Sequence, residues 1–115
     1  METLKPGMIL HSSWGYDMTL NNFYVVRRVS AASAWVQEVA AVVKNDHGTG
    51  EGTAEPDPGC VAWVWNNDGQ RVEAPVKRFK IQRYGNSSAE SLWDSRKQRS
   101  MTIWSGRPVY HNTYD

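Results

Sequence analysis

The chain has 115 residues, of which 40% are apolar and 22% charged, enough to build one hydrophobic core and to read residues 1–115 as a single domain. Its one cysteine, Cys60, excludes an intrachain disulfide or a cysteine-built zinc site, and no apolar run is long enough for a membrane-spanning helix. The net charge of +1 conceals a division: residues 1–69 hold four Lys/Arg against eight Asp/Glu, a balance of −4, whereas residues 70–115 hold nine against four, a balance of +5.

In chain order, Leu4–Leu10 reads as a first strand broken by the Lys5-Pro6-Gly7 turn. Trp14–Asn22 carries Gly15, Asp17, Asn21 and Asn22 and reads as a loop. Phe23–Val29 is β-branched or aromatic apart from an Arg pair, which specifies a strand. Ala34–Lys44 is the return strand of a hairpin across the turn at 30–33. Residues 45–59 (NDHGTGEGTAEPDPG) contain four Gly, two Pro, four acids and no bulky apolar side chain, so a long mobile loop is expected there. Cys60–Trp65 and Gln70–Ala74 flank Asn66-Asn67-Asp68-Gly69, a hairpin signal, because Asp-Gly suits a turn with positive φ. Pro75–Tyr84 is a further strand. Residues 89–100 are open between helix and strand: Ser88 can cap a short helix with Glu90 in its first turn, but Leu92 and Trp93 give it only a thin apolar stripe. Met101–Trp104 and Val109-Tyr110 close the chain as short extended pieces around the Ser105-Gly106-Arg107-Pro108 turn. Short strands with turn signals at this spacing predict an all-β, or nearly all-β, fold: a small barrel or a strongly bent antiparallel sheet with one long loop at 45–59.

The stretch Ser13-Trp14-Gly15-Tyr16-Asp17, followed by Thr19 and Phe23-Tyr24-Val25-Val26, resembles a segment of small, mostly uncharacterised proteins of bacteriophages and other mobile elements. Trp104-Ser105-Gly106-Arg107-Pro108-Val109-Tyr110 resembles their closing segment, which more often has Asp where this chain has Ser105. The resemblance implies an SH3-like barrel and a phage or plasmid setting, and it transfers no catalytic residue. With no signal-peptide pattern in METLKPGMIL, the expected location is the cytoplasm of a bacterial host.

Two surfaces are candidates for contact. On a strand, Phe79 and Ile81 face the core while Arg78, Lys80, Gln82 and Tyr84 share the solvent face, a row suited to a nucleic-acid backbone and a stacked base. Arg71, Arg83, Arg96, Lys97, Arg99 and Arg107 extend that basic set. The second candidate is a protein-binding surface made of Trp14 and Tyr16 around Gly15, together with the acids Asp46, Glu51, Glu55 and Asp57, which would imitate nucleic acid on a basic partner. His11, Ser12, Ser13 and Asp17 hold the residue types of a hydrolytic triad, but neighbours on a strand face opposite sides and no nucleophile elbow surrounds them. Neither the spacing of His11, His47 and His111 nor the glycines at 48–52 calls for a metal, a phosphate loop or any cofactor. The expectation is therefore a non-enzymatic accessory protein that binds nucleic acid through its basic C-terminal half. The alternative is a protein-interaction module that inhibits a host nucleoprotein or defence machine. No membrane partner is expected, and no motif fixes the oligomeric state.

Overall fold

The computed structural model describes residues 2–15, 20–45, 51–83 and 89–112, and every regular element among them is a β-strand. The strands are β1 (Ile9–Trp14), β2 (Leu20–Val29), β3 (Ser33–Asn45), β4 (Glu51–Val61), β5 (Trp63–Trp65), β6 (Arg71–Glu73), β7 (Val76–Gln82), β8 (Ser91–Asp94), β9 (Arg99–Ile103) and β10 (Val109–Asn112). The main sheet runs β10-β4-β3-β2-β1-β9-β8-β7, and β7 returns to pair with β3. Strands β3-β2-β1-β9-β8-β7 thus close an antiparallel barrel, consistent with a small SH3-like barrel. The second half of β3 leaves the barrel wall to carry β4 and then β10, and β5 and β6 form a separate hairpin.

Alternation along β2 explains this arrangement. Tyr24 and Val26 pack into the barrel with Leu10, Ala34, Val36, Ile81, Leu92 and Met101, and Leu4 plugs the same cluster. Phe23 and Val25 face the other way and pack with Val39 and Ala54 under Ile9, Trp104 and Val109. Residues 23–26 are buried on both faces, which is why they read FYVV with no polar alternation. Trp104 sets its ring edge-on to Phe23 (centroids 6.1 Å apart) and donates Nε1–H to the Arg107 carbonyl (2.8 Å). The Trp-Ser-Gly-Arg segment therefore closes the second layer as a turn, with Gly106 at φ 86°.

The hairpin at 66–69 forms as predicted. Gly69 takes φ 75°, and the Asn66 side-chain oxygen accepts from the backbone N–H groups of Asp68 and Gln70. Three expectations are corrected, and one open reading is decided. The long loop at 45–59 is strand from Glu51 onward, because backbone ladders to β3 and β10 order a segment whose side chains bury little. Its prolines, Pro56 and Pro58, lie beyond the residues paired with β10, where a missing N–H breaks no second ladder. Residues 89–100, open between helix and strand in the sequence, form β8, a turn and β9, because Leu92 gains Ile81 and Met101 as cross-strand neighbours that a thin helical stripe lacks. The loop at 14–22 is shorter than its composition implies, since β1 runs to Trp14 and pairs it with Leu20. The strand over Cys60–Trp65 breaks at Ala62, whose N–H turns to the Glu38 carbonyl to root the β5–β6 hairpin.

Glu90, to which the helical reading gave only a place in a first turn, fastens the N-terminal segment to the barrel. Its buried carboxylate accepts from the Leu4 N–H (2.9 Å) and pairs with Arg83. The Leu4 hydrogen bond first, and then Arg83, hold its pKa below the ordinary carboxylate value against the opposing effect of burial.

Candidate functional site

A slip in register between Val26 and Arg28 places a bulge in β2, so the consecutive residues Arg27 and Arg28 are both exposed instead of alternating. Strand β3 separates this pair from β7, and the register sets Trp35 opposite Arg78 and Ser33 opposite Lys80. The Arg28 guanidinium stacks over the half-buried Trp35 ring at 4.5 Å. Arg27 donates Nε–H to Gln37 Oε1 (3.1 Å), and Gln37 Nε2 donates to the Ala74 carbonyl (2.8 Å), tying the Arg pair to the hairpin root. Arg27, Arg28, Arg78 and Lys80 make no ion pair among the described residues. Three adjacent strands, spaced about 5 Å apart, thus present around one indole ring four cations that no acid among the described residues pairs.

Only part of the basic set read from sequence lies here. Arg78 and Lys80 do, and Tyr84 lies outside the described residues. Arg83 is occupied with Glu90 and with the Ala31 carbonyl (2.8 Å). Arg96 and Lys97 sit in the β8–β9 turn, where their N–H groups bind Asp94 Oδ1 (3.0 and 3.2 Å). Arg99 stacks over Trp14 at 4.4 Å, and the Trp14 Nε1–H donates to Asn22. Of the second candidate surface, Tyr16 and Asp46 are outside the described residues, and Glu51 lies at the start of β4. Glu55 pairs with Lys44 across β4 and β3 (3.7 Å), and Asp57 Oδ1 accepts from the Gly59 N–H (3.3 Å). Glu55 and Asp57 therefore belong to a strand and not to a mobile acidic loop, because the β3 ladder runs through both positions.

A cleft of about 320 Å³ opens where the inner barrel face meets the β5–β6 hairpin. The barrel contributes Tyr24, Val36, Glu38 and Phe79, and the hairpin contributes Val64, Trp65 and Val72. Lys77, Asp94 and Lys97 are the charged residues added to Glu38 in its lining. Burial, reinforced by Glu38, pushes the Tyr24 pKa up to about 12, so its hydroxyl stays protonated. On the opposite side of the hairpin strands from Val64 and Val72, Trp63 and Trp65 are 53% and 73% exposed, with Arg71 stacked 5.5 Å from Trp63.

The triad-like residues separate as strand geometry requires, with Ser12 on the inner face and His11 and Ser13 on the outer. Asn21 Nδ2 donates to the Tyr110 carbonyl (2.7 Å) and to His111 Nδ1 (3.2 Å), which turns its Oδ1 toward His11 and Ser13. That oxygen accepts from His11 Nε2 (2.6 Å) and Ser13 Oγ (2.7 Å). With Nε2 carrying its proton, His11 is no base for Ser13, and the group instead holds β10 to β1 and β2. Among the described residues no group of three His, Cys, Asp or Glu side chains is placed to hold a metal.

The residues that sequence reasoning missed are Arg27, Arg28 and Trp35. Their signal was present as two consecutive charges interrupting an apolar strand, the mark of a bulge. Comparison with protein-family models, curated proteins and solved structures returns no match.

Proposed function

We propose that this chain is a small non-enzymatic accessory protein that binds nucleic acid through the β2–β3–β7 face. The observation that carries the reading is Trp35 set between Arg28 and Arg78, with Arg27 and Lys80 beside them and no carboxylate pairing any of the four cations among the described residues. Unpaired cations release counterions from phosphates, and a ring held by an arginine offers an edge for a base or sugar. The segments at 13–26 and 104–110, with their likeness to phage and mobile-element proteins, support a setting in the cytoplasm of a bacterial host.

The test is binding of the intact chain to labelled single- and double-stranded oligonucleotides across a salt series. Affinity is expected to fall steeply with salt, and R28A/R78A is expected to flatten the slope by about two, near 0.9 per lost phosphate contact. Absence of salt-dependent binding at low ionic strength would sink the reading.

A second reading is favoured by one observation, the exposure of Trp63 and Trp65 on the hairpin. Exposed indoles with an adjacent arginine are the composition of protein-interface anchors, and they fit a module that docks on a host nucleoprotein or defence machine. Recovery of one partner from host lysate by the wild type, lost with W63A/W65A and kept with R28A/R78A, would favour it over nucleic-acid binding.

A further inference from the structure

The cleft between barrel and hairpin is separate from the basic face. Tyr24 is buried, lines the cleft and keeps its hydroxyl protonated, so that hydroxyl is a hydrogen-bond donor in the cleft wall. Glu38 stands directly opposite Tyr24 in the β2–β3 register and also lines the cleft. Asn22 Nδ2 donates to Glu38 Oε2 (3.0 Å), which fixes the carboxylate and leaves Oε1 to accept. Val36, Phe79 and Val64 supply apolar wall, and Lys77 and Lys97 supply two ammonium groups. A volume of about 320 Å³ is at the small end of the roughly 300–1,000 Å³ that ligand pockets span.

We infer that this cleft is a nucleotide site: the base lies against the apolar and aromatic wall, its N–H edge meets Glu38 and Tyr24, and its phosphate meets Lys77 and Lys97. A fixed carboxylate accepts and never donates, so it selects a base edge that presents N–H donors, and guanine, with N1–H and the N2 amino group side by side, satisfies it best. The neutral Tyr24 hydroxyl is a donor for a ring nitrogen or carbonyl. Asp94, the second acid in the lining, has its Oδ1 held by the backbone N–H groups of Arg96 and Lys97. The nucleotide comes either free in solution or from an unpaired position of a strand; in the second case the site rests on the nucleic-acid reading proposed above.

Calorimetric titration of the intact chain with each of the four 5′-mononucleotides, with inorganic phosphate and with a guanine-containing single strand tests this. The guanine nucleotide is expected to bind best. Tyr24→Phe, which removes only a hydroxyl and keeps the buried ring, is expected to leave the melting temperature near the wild-type value and to weaken binding about five- to tenfold, and Lys97→Ala by a similar factor. Glu38→Gln is expected to abolish the preference for guanine, and R28A/R78A to leave mononucleotide affinity unchanged. Mononucleotide binding without strand binding identifies the free nucleotide as the source, and upholds the cleft while overturning the function proposed above. Strand binding that is indifferent to Tyr24→Phe and Lys97→Ala, with no mononucleotide binding, overturns the cleft and leaves that function standing. Inorganic phosphate binding as tightly as the guanine nucleotide also overturns the cleft as a base-reading site.

Discussion

Trp35 and Trp65 occupy two kinds of ground. Trp35 lies in the middle strand of three, half-buried under Arg28 and beside Arg78, on a wall whose opposite face is core. Trp65 is 73% exposed on a two-stranded hairpin held to the barrel by its root at Ala62 and Ala74 and by Gln37. A two-stranded ribbon has marginal stability of its own, whereas a closed barrel has no edge to fray. The contrast separates a wall that carries the fold and a fixed charge pattern from a ribbon that carries little stability and frames a cleft.

The contrast can be broken or sharpened by mutation. Phe23→Ala empties a fully buried ring position between barrel and second layer and is expected to cost about 3–5 kcal/mol in denaturant unfolding. A loss near 1 kcal/mol would mean that β4 and β10 are not packed on the barrel as described.

Glu90→Gln is expected to cost about 1–3 kcal/mol at neutral pH, because it weakens the tie from Leu4 and Arg83 to a buried position. The Glu90 pKa is depressed on folding from an ordinary value of 4.5, so its contribution is complete above that pH and lost as pH falls through the folded value. The stability gap between wild type and Glu90→Gln should therefore close in acid; a gap that persists well below pH 4.5 would show that shape, and not charge, fastens the N-terminal segment.

Trp65→Ala is expected to change stability by no more than about 0.5 kcal/mol, as for an exposed site. A larger loss would make the hairpin part of the structural core and weaken its separation from the wall.

Much of the barrel was legible in the sequence. The run at 23–26 announces a strand buried on both faces, the Asp-Gly turn announces a hairpin, and Phe79 with Ile81 announces an inward face. Residues 51–59 were misread and 89–100 left open for a common reason: their side chains carry weak local preference, and backbone pairing with distant strands decided their state. The candidate site was legible only in half. Arg78 and Lys80 stand out in a basic C-terminal segment, but Arg27 and Arg28 sit in a half with a net charge of −4, and a charge balance counted along the chain hides them.

By itself, the sequence determined that this chain is built of strands, where several of its turns fall and which face of β7 points inward, because alternation and turn chemistry act over a few residues. Only the tertiary structure decided that β7 closes on β3, that Trp35 has arginines on both sides and that Tyr24 and Glu38 look into one cleft. Those are consequences of register between strands far apart in sequence, and register is fixed by the assembled core.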